Sequence, residues 1–392
     1  MNYAQIKDFV KSGDIEIKTG PFGTQLKANE YTESGTPVLN VRNLGFGNVR
    51  TDKLEFVGAE TTDRLSMHLL RKGDLVFGRK GAVERHSYIT DREKGWMQGS
   101  DCIRIRVNTT SINSRFLSYF FLTKAHQAYM MSACSHGTTM ASLNQGILEQ
   151  IVFPLPTRKT QDKIVTMLSC IDDKIELNSR INENLEQQAQ AIYASMFFDV
   201  QTDGWKRGIL SDITEITMGQ SPSGSSYNEN GSGTVFFQGR AEFGFRFPTI
   251  RLYTTEPKRM AQKNDVLMSV RAPVGDLNVA HEDCCIGRGL SAIHSKDNHQ
   301  SFVLYTLFSR KKELDVFNGE GTVFGSINRD SLNTIPIIIP PTEIMDKFER
   351  TVAPMDELIF SNYDANCRLV QIKDSLLPKL MSGELNVSEV KL

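Results

Sequence analysis

Residues 137–156 read GTTMASLNQGILEQIVFPLP, and residues 321–340 read GTVFGSINRDSLNTIPIIIP. A glycine-threonine pair, a serine-aliphatic-asparagine step, a leucine, an isoleucine and the final proline recur in register at an offset of 184 residues. The same offset continues into the next segment, where Asp172 corresponds to Asp356. Because one offset holds across both a loop motif and a helical segment, the chain contains an internal duplication.

A second pair of segments extends the duplication toward the start of each half. KGDLVFGRKGAVERHSYI at 72–89 matches KNDVLMSVRAPVGDLNVA at 263–280, at an offset of 191 residues. Each half predicts short strands, a helical stretch, a proline-rich joint and a long amphipathic helix. The predicted strands include Thr36–Val41, Asp74–Phe77, Cys102–Val107, Thr234–Gln238, Asp265–Val270 and Asp276–Ala280, and the predicted domain helices are Ser114–Met131 and His299–Val316.

The two long amphipathic segments have the heptad spacing of coiled-coil helices. Steps of four and three from Ile164 give ten positions, eight of them apolar, and the equivalent ten positions from Phe348 include seven apolar ones. A buried asparagine needs a polar partner, and each seam carries two near its middle. Antiparallel pairing would bring them together and fix the register through Asn178, Asn182, Asn362 and Asn366. The alternative is two ordinary amphipathic helices on separate domains.

The second long helix contains two prolines, Pro354 and Pro378, and we expect them to limit it. Its uninterrupted seam, from Met355 to Leu376, covers 22 positions. That length is roughly 33 Å, close to the separation of about 34–36 Å between half-sites one DNA turn apart. The sequence therefore predicts an α+β fold in which two globular domains are separated by antiparallel coiled-coil helices. The predicted boundaries are 1–160 and 201–341 for the domains, and 161–200 and 342–385 for the helices.

Charge is unevenly distributed along the 392 residues, whose net charge is −1. The first 160 residues carry +6 and residues 201–340 are neutral, while residues 161–200 carry −4 and residues 341–392 carry −3. This pattern permits a local DNA-binding surface on the globular domains. The six cysteines form no CxxC pair, and the N-terminus has no secretory signal, so we expect a cytoplasmic protein with reduced thiols.

The sequence lacks the motifs of the common catalytic sites. It has no GxxxxGK[ST] loop, GxSxG elbow or HExxH helix, and no Asn-Pro-Pro-aromatic or Asp-Pro-Pro-aromatic tetrapeptide of amino-methyltransferases. Gly287-Arg288-Gly289 lacks the context of a dinucleotide fingerprint. His294 and His299 have no further histidine or cysteine to complete a metal set, so we predict surface residues. A catalytic role is therefore not expected.

The candidate DNA contacts are loops in which small residues stand beside cations and amides. Such loops let the backbone approach phosphates and present side chains to base edges. The candidates are Gly20, Phe22, Thr24, Gln25, Arg42, Arg79 and Lys80 in the first half, and Gln220, Ser221, Ser223, Arg240, Arg251 and Arg271 in the second. Surface turns and solvated charges are the alternative interpretation. For His136, Thr138, Thr139 and Thr322, which lead into the helix, we favour a structural or partner-docking role.

The chain resembles the specificity subunits of type I restriction-modification systems. The resemblance covers essentially the whole chain and rests on the segment at 72–89, PLPTRKTQDKIV at 154–165, IDDKIELNSRINENLEQQAQAIYASMF at 171–197 and LLPKLMSGEL at 376–385. It implies that each globular domain reads one half of a split double-stranded DNA target. The second half has VRAPVG at 270–275 where the first has GRKGAV at 78–83, which leaves the pairing of Arg79 with Arg271 provisional.

The resemblance also implies how the complex is divided among its subunits. The helices would set the spacer and dock methyltransferase subunits, and a translocating restriction subunit can join. S-adenosylmethionine and ATP with magnesium would belong to those partners, leaving this chain without cofactor or metal. Two alternatives remain at this point: a helical scaffold that does not bind DNA, and the specificity part of a fused nuclease or methylase.

Overall fold

The computed structural model describes residues 2–135, 141–198, 204–319 and 325–387. The chain packs into two compact units, which we call unit 1 and unit 2. Unit 1 comprises Met1–Ile175 together with Cys367–Leu392, and unit 2 comprises Glu176–Asn366. Each unit thus contains one globular part and a stretch of both long helices.

The elements of unit 1 follow the predicted order of strands, domain helices and long helix. They are β1 (Tyr3–Gln5), α1 (Ile6–Ser12), β2 (Ile15–Thr19), β3 (Tyr31–Thr32), β4 (Thr36–Leu39), β5 (Glu55–Val57), α2 (Ala59–Arg64), β6 (Leu75–Gly78), β7 (His86–Tyr88), β8 (Met97–Gln98), β9 (Cys102–Val107), α3 (Ser114–Phe121), α4 (Lys124–Cys134), α5 (Gln145–Glu149), β10 (Val152–Pro154) and the start of α6 (Arg158–Phe197).

Two sheets and a ribbon form the globular part of unit 1. One sheet is antiparallel with the order β2-β9-β6-β7, the other has the order β3-β5-β4-β8 with β4 parallel to β8, and β1 pairs with β10. All four residues of strand β6 are buried. Successive side chains of a strand point to opposite faces, so β6 contributes to a core on each face. Leu75 and Phe77 enter one core cluster, while Val76 enters another with Leu39 and Cys102.

Unit 2 repeats this arrangement with different side chains. Its elements are the end of α6, then β11 (Lys206–Ile209), α7 (Leu210–Ile213), β12 (Thr214–Met218), β13 (Tyr227–Asn228), β14 (Thr234–Phe237), β15 (Leu252–Thr254), β16 (Met260–Ala261), β17 (Val266–Ser269), β18 (Leu277–Val279), β19 (Cys284–Ile286), β20 (Leu290–Ser295), α8 (Gln300–Ser309), α9 (Lys311–Asp315), α10 (Arg329–Asn333), β21 (Pro336–Ile339) and the start of α11 (Thr342–Ser382).

The sheets of unit 2 correspond to those of unit 1. Their strand orders are β12-β20-β17-β18 and β13-β15-β14-β19-β16, and β11 pairs with β21. Strand β17 divides its side chains between two clusters as β6 does. Val266 and Met268 pack toward the long helices, and Leu267 packs between the sheets. The duplication read from the sequence is thus a duplication of the fold.

The long helices run antiparallel within each unit. In unit 1, Lys373 of α11 lies 2.5 Å from the Asp172 carboxylate of α6, and Leu168 shares a cluster with Leu380. In unit 2, pairs of asparagines on α6 and α11 meet in antiparallel order. The predicted seam positions on both helices are buried or half-buried.

The expectation that Pro354 and Pro378 limit the second helix is wrong, because α11 runs unbroken from Thr342 to Ser382. Both prolines are exposed, so the carbonyl groups that lose an intrahelical donor can bond to water. Apolar residues on the opposite face are buried on either side of Pro354, at Val352 and Ile359. With 41 residues the helix is roughly 62 Å long, about twice the predicted seam.

Each predicted domain helix is also divided. The range predicted as one helix, Ser114–Met131, contains α3 and most of α4. The break occurs because the Thr123 side chain accepts a hydrogen bond from the His126 backbone amide and caps the start of α4. In unit 2 the break falls at Arg310, between α8 and α9. The α+β fold class with two globular domains and long antiparallel helices is confirmed. None of the helices in the described ranges is long and apolar enough to span a membrane.

Candidate nucleic-acid interface

In unit 1, a loop begins at Gly20, where β2 ends, and its backbone lies in close contact with the segment 99–102. The Gly20 amide donates to the Cys102 carbonyl at 2.8 Å. A Cβ atom on Gly20 would collide with the Gly99 carbonyl oxygen, so only glycine allows this approach. The Gln25 amide then donates to the Phe22 carbonyl at 2.6 Å to close a turn. The side chains left exposed by this turn are those of Phe22, Thr24 and Gln25.

Arg79, at the end of β6, lies against the same loop. Its amide donates to the Asp101 carbonyl at 2.8 Å, and its carbonyl accepts from the Leu143 amide at 2.8 Å. The guanidinium carbon is 4.6 Å from the centroid of the Phe22 ring, within cation–π range. Two separately predicted contact segments therefore form one surface. We call residues 20–25, 79–80 and 99–101 the loop junction of unit 1.

The same surface recurs in unit 2. The Gly219 amide donates to the Leu290 carbonyl at 2.9 Å, and a Cβ atom on Gly219 would collide with the Gly287 carbonyl oxygen. The Ser221 hydroxyl accepts from the Arg288 amide at 3.2 Å. We call residues 219–223, 270–271 and 287–289 the loop junction of unit 2. Of its predicted contact residues, Ser221 is half-buried, while the exposed ones are Gln220, Ser223 and Arg271.

Backbone hydrogen bonds fix which cations correspond between the units. The Val270 amide donates to the Gly289 carbonyl at 2.9 Å, and the Val270 carbonyl accepts from the Ile327 amide at 3.0 Å, as in the two bonds of Arg79. At the next position, the backbone of Lys80 forms an isolated antiparallel β-bridge with Ser142, and the backbone of Arg271 forms one with Ser326. Arg271 is therefore the counterpart of Lys80, and the provisional pairing of Arg79 with Arg271 is corrected.

The remaining predicted cations differ from these in their ion pairs. Arg42 lies 2.5 Å from Glu55, Arg240 pairs with Asp276, and Arg251 lies 3.0 Å from Glu242. In the described part of the chain, no carboxylate pairs with Lys80 or Arg271. A cation that is already neutralised must give up its partner before it contacts a phosphate, so Lys80 and Arg271 are better placed for that contact.

The asparagines of the helix seam contact one another inside unit 2. The Asn178 side-chain amide donates to the Asn366 oxygen at 2.8 Å, and the Asn362 amide donates to the Asn182 oxygen at 2.8 Å. The Asn182 amide donates to the Ile359 carbonyl at 3.2 Å. These bonds depend on the axial position of one helix relative to the other, because a shift by one residue would separate each pair.

Each globular part is anchored to a long helix through one tyrosine and one aspartate. The Tyr119 hydroxyl donates to Asp172 at 2.7 Å, and the Tyr305 hydroxyl donates to Asp356 at 2.8 Å. In unit 2, the buried Arg246 guanidinium lies 3.2 Å from Asp356. Burial raises the pKa of Asp356 above its ordinary value, against the opposing effect of Arg246. The 184-residue offset had aligned the two aspartates without assigning them this contact.

The two histidines predicted to lie at the surface, His294 and His299, each contact an aspartate. His299 is not a surface residue as predicted: it is buried, and its Nε2 lies 2.8 Å from the Asp346 carboxylate on α11. His294 is partly exposed and its Nδ1 lies 2.6 Å from Asp265. The four residues assigned a structural or docking role lie outside the described residues: His136, Thr138, Thr139 and Thr322.

Comparison with known proteins identifies the family. A family model described as the type I restriction modification DNA specificity domain matches residues 6–187 and, in a second copy, residues 202–359. The chain belongs to this family. The two matches coincide with the two halves of the duplication, so the specificity-domain family accounts for both units.

Two type I specificity subunits match over 81% or more of this chain. The type I restriction enzyme MjaIX specificity subunit of Methanocaldococcus jannaschii is 27% identical over 98% of this chain and 94% of its own. The type I restriction enzyme HindI specificity subunit of Haemophilus influenzae is 23% identical over 81% of this chain and 87% of its own. A crystal structure of the type I restriction-modification S subunit from M. genitalium shares the fold, with a TM-score of 0.60 and 17% identity over 97% of this chain and 96% of that one.

These findings confirm the predicted function as a type I specificity subunit and favour it over the scaffold and fused-enzyme alternatives. One junction residue, Arg288, is not among the predicted contacts. It lies between two glycines, a pattern typical of a loop that is held close to another backbone, and in the structure both glycines pack against the backbone of Gln238.

Proposed function

We propose that each loop junction reads one half of a split DNA target. The supporting observation is that the two junctions have the same backbone hydrogen bonds and different side chains. The Gly20 and Gly219 amides are held alike, but Phe22 and Arg79 of unit 1 have no equivalents of the same chemistry in unit 2. One scaffold that carries two sets of side chains suits two half-sites of different sequence.

The chemistry of the junctions fits DNA. Exposed Lys80 and Arg271 can contact phosphates, and amide or hydroxyl groups such as those of Gln25, Gln220 and Ser223 can bond to base edges in the major groove. The close glycine contacts keep the loops in a fixed shape, which favours readout because a preordered loop loses less entropy on binding.

The long helices and the partner subunits complete the proposal. The helices set the spacer between the half-sites and dock methyltransferase subunits, and restriction subunits join the same complex in the cytoplasm. The chain itself catalyses no step. S-adenosylmethionine, and ATP with magnesium, are bound by the partner subunits, which carry out methyl transfer and translocation.

The decisive experiment exchanges residues 1–160 for the equivalent region of a related subunit with another target. Methylated adenines are then mapped genome-wide in cells that contain the methyltransferase partner. We expect one half of the methylated motif to change and the other half, with its spacer, to stay the same. The reciprocal exchange of 201–341 serves as the matched control and should change only the other half.

Two outcomes would contradict the proposal. If the exchange altered both halves together, the units would not read independently. If deletion of the whole subunit left the methylated motif intact, the chain would contribute no sequence recognition, and the scaffold alternative would stand.

A further inference from the structure

Arg288 is an exposed cation on a loop that is fixed on both sides. Its amide donates to the Ser221 hydroxyl at 3.2 Å. Cβ atoms on the flanking Gly287 and Gly289 would lie 2.9 Å from backbone atoms of Gln238, so the loop rests directly on that strand end. The backbone at Arg288 is therefore well positioned, while its side chain is free to reach outward.

The side chain of Arg288 is not committed to an ion pair. In the ranges that the structure describes, no carboxylate pairs with it, in contrast to Arg240 and Arg251 of the same unit. Gln238, whose backbone the loop rests on, also has an exposed side chain. Arginine and amide side chains are the residue types that most often read guanine and adenine in the major groove.

Comparison of the two junctions separates two kinds of cation. Lys80 and Arg271 occupy the same position, so a positive charge is present there in both units. Phosphate groups are the same in every DNA sequence, so a positive charge that both units share is suited to contacting phosphates. Arg288 differs, because the hydrogen bonds that match Gly99 with Gly287 place Ser100 at its position in unit 1. Arg79 is likewise confined to unit 1, because its counterpart in unit 2 is Val270.

We propose that Arg288 is a specificity-determining residue of unit 2, which reads a guanine of its half-site through the O6 and N7 atoms. The proposal rests on the proposed function, in which unit 2 reads one half of the target. It assigns to Arg288 the discrimination that a cation common to both units cannot provide. A bidentate arginine–guanine contact corresponds to about 5- to 150-fold discrimination against another base.

The test maps methylated adenines in cells that carry the complete methyltransferase complex with Arg288→Ala or Arg288→Gln. We expect one guanine position in one half of the motif to accept other bases, while the other half and the spacer are retained. Arg207→Ala is the matched control: Arg207 is an exposed arginine of unit 2 on β11, outside the junction, and its loss should leave the motif unchanged.

A second measurement needs no protein variant. Each guanine in the unit 2 half-site is replaced in turn by 7-deazaguanine, which lacks the N7 acceptor, and binding by the wild-type complex is measured. We expect one substitution to lower affinity about 5-fold or more. The inference is overturned if no guanine in that half is sensitive, or if Arg288→Ala lowers methylation evenly and leaves the motif intact. A wild-type complex that methylates no two-part motif would instead contradict the proposed function.

Discussion

At the residue scale, the two loop junctions share a close glycine contact and one positive charge, and they differ in their other cations. The glycines that allow close backbone approach, Gly20 and Gly219, recur, as does the charge at Lys80 and Arg271. The cations that differ, Arg79 and Arg288, occur in one unit each. Under the proposed function, the shared charge would contact phosphates, which position the protein, and the differing cations would contact bases, which select the sequence.

We predict that Lys80→Ala and Arg271→Ala weaken DNA binding to the same extent on specific and non-specific DNA. Both cations are exposed and unpaired within the described ranges, so each loss should remove about one phosphate contact. The slope of log affinity against log salt should become shallower by about 1 for each variant. Affinity measured over a salt series checks this, and the ion-paired Arg251→Ala should change the slope less. A change of motif without a change of slope would assign these residues to base readout.

Unit 1 should lose stability in mild acid because of its buried histidines. Burial lowers the pKa of His86 from 6.5 to about 3, and its Nε2 lies 2.9 Å from the buried Ser118 hydroxyl. The unfolded chain therefore takes up the proton first as pH falls below 6.5. The stability that neutral His86 contributes is present above that pH and is lost progressively toward pH 3, at roughly 1.4 kcal/mol per pH unit.

His86→Gln should make the free energy of unfolding less sensitive to acid. Between about pH 6.5 and pH 5, denaturant titrations should show a loss smaller than in the wild type by about 2 kcal/mol. Ser118→Ala is the matched control, since it breaks the same contact without removing a titrating group and should keep the wild-type pH dependence. Equal pH dependence in His86→Gln and wild type would show that His86 does not control acid sensitivity.

At the element scale, local pattern predicted the helices better than it predicted their ends. The heptad seam of α6 and α11 was visible because its period is local, and its positions are buried or half-buried as expected. The predicted limits of α11 at its two prolines were wrong because the effect of a proline depends on which side of the helix faces water. That orientation is a property of the tertiary structure. The break at Thr123 was missed because one side-chain hydrogen bond decides it.

The sheets and the junctions were harder to predict for the same reason. Strand β2 pairs with β9, whose residues lie more than 80 positions away, and no local signal specifies that partner. The contact of Phe22 with Arg79 depends on this pairing. Sequence therefore identified the loops individually, whereas their assembly into one surface, and the place of Arg288 in it, required the fold.

The seam asparagines should trade stability for register. We predict that changing Asn178, Asn182, Asn362 and Asn366 to Leu keeps or raises the melting temperature, because apolar side chains replace polar groups in a buried seam. The register should loosen, since the asparagine–asparagine hydrogen bonds that fix it are lost. Amide hydrogen exchange along α6 and α11 would be faster near the four substituted positions. Methylation mapping would show more than one spacer length. Exposed Asn184→Leu is the control on the same helix. A lower melting temperature with a single spacer would contradict this role.

At the scale of the whole molecule, both long helices contribute residues to both units, and α6 and α11 are continuous over 40 and 41 residues. We therefore predict that the helices determine the spacer. A heptad inserted into both helices, at facing positions near the boundary between the units, keeps the seam in phase because seven residues restore the same face. It lengthens each helix by about 10 Å, the length of roughly three base pairs.

Methylation mapping should show a longer spacer with both half-motifs unchanged, or no methylation if the partner subunits cannot bridge the extended helices. An insertion of two residues in both helices is the control: it turns the apolar face beyond the insertion by about 200°, away from the partner helix, and should disrupt the pair rather than lengthen the spacer. An active seven-residue variant with the original spacer would mean that another part of the complex, and not these helices, measures the distance.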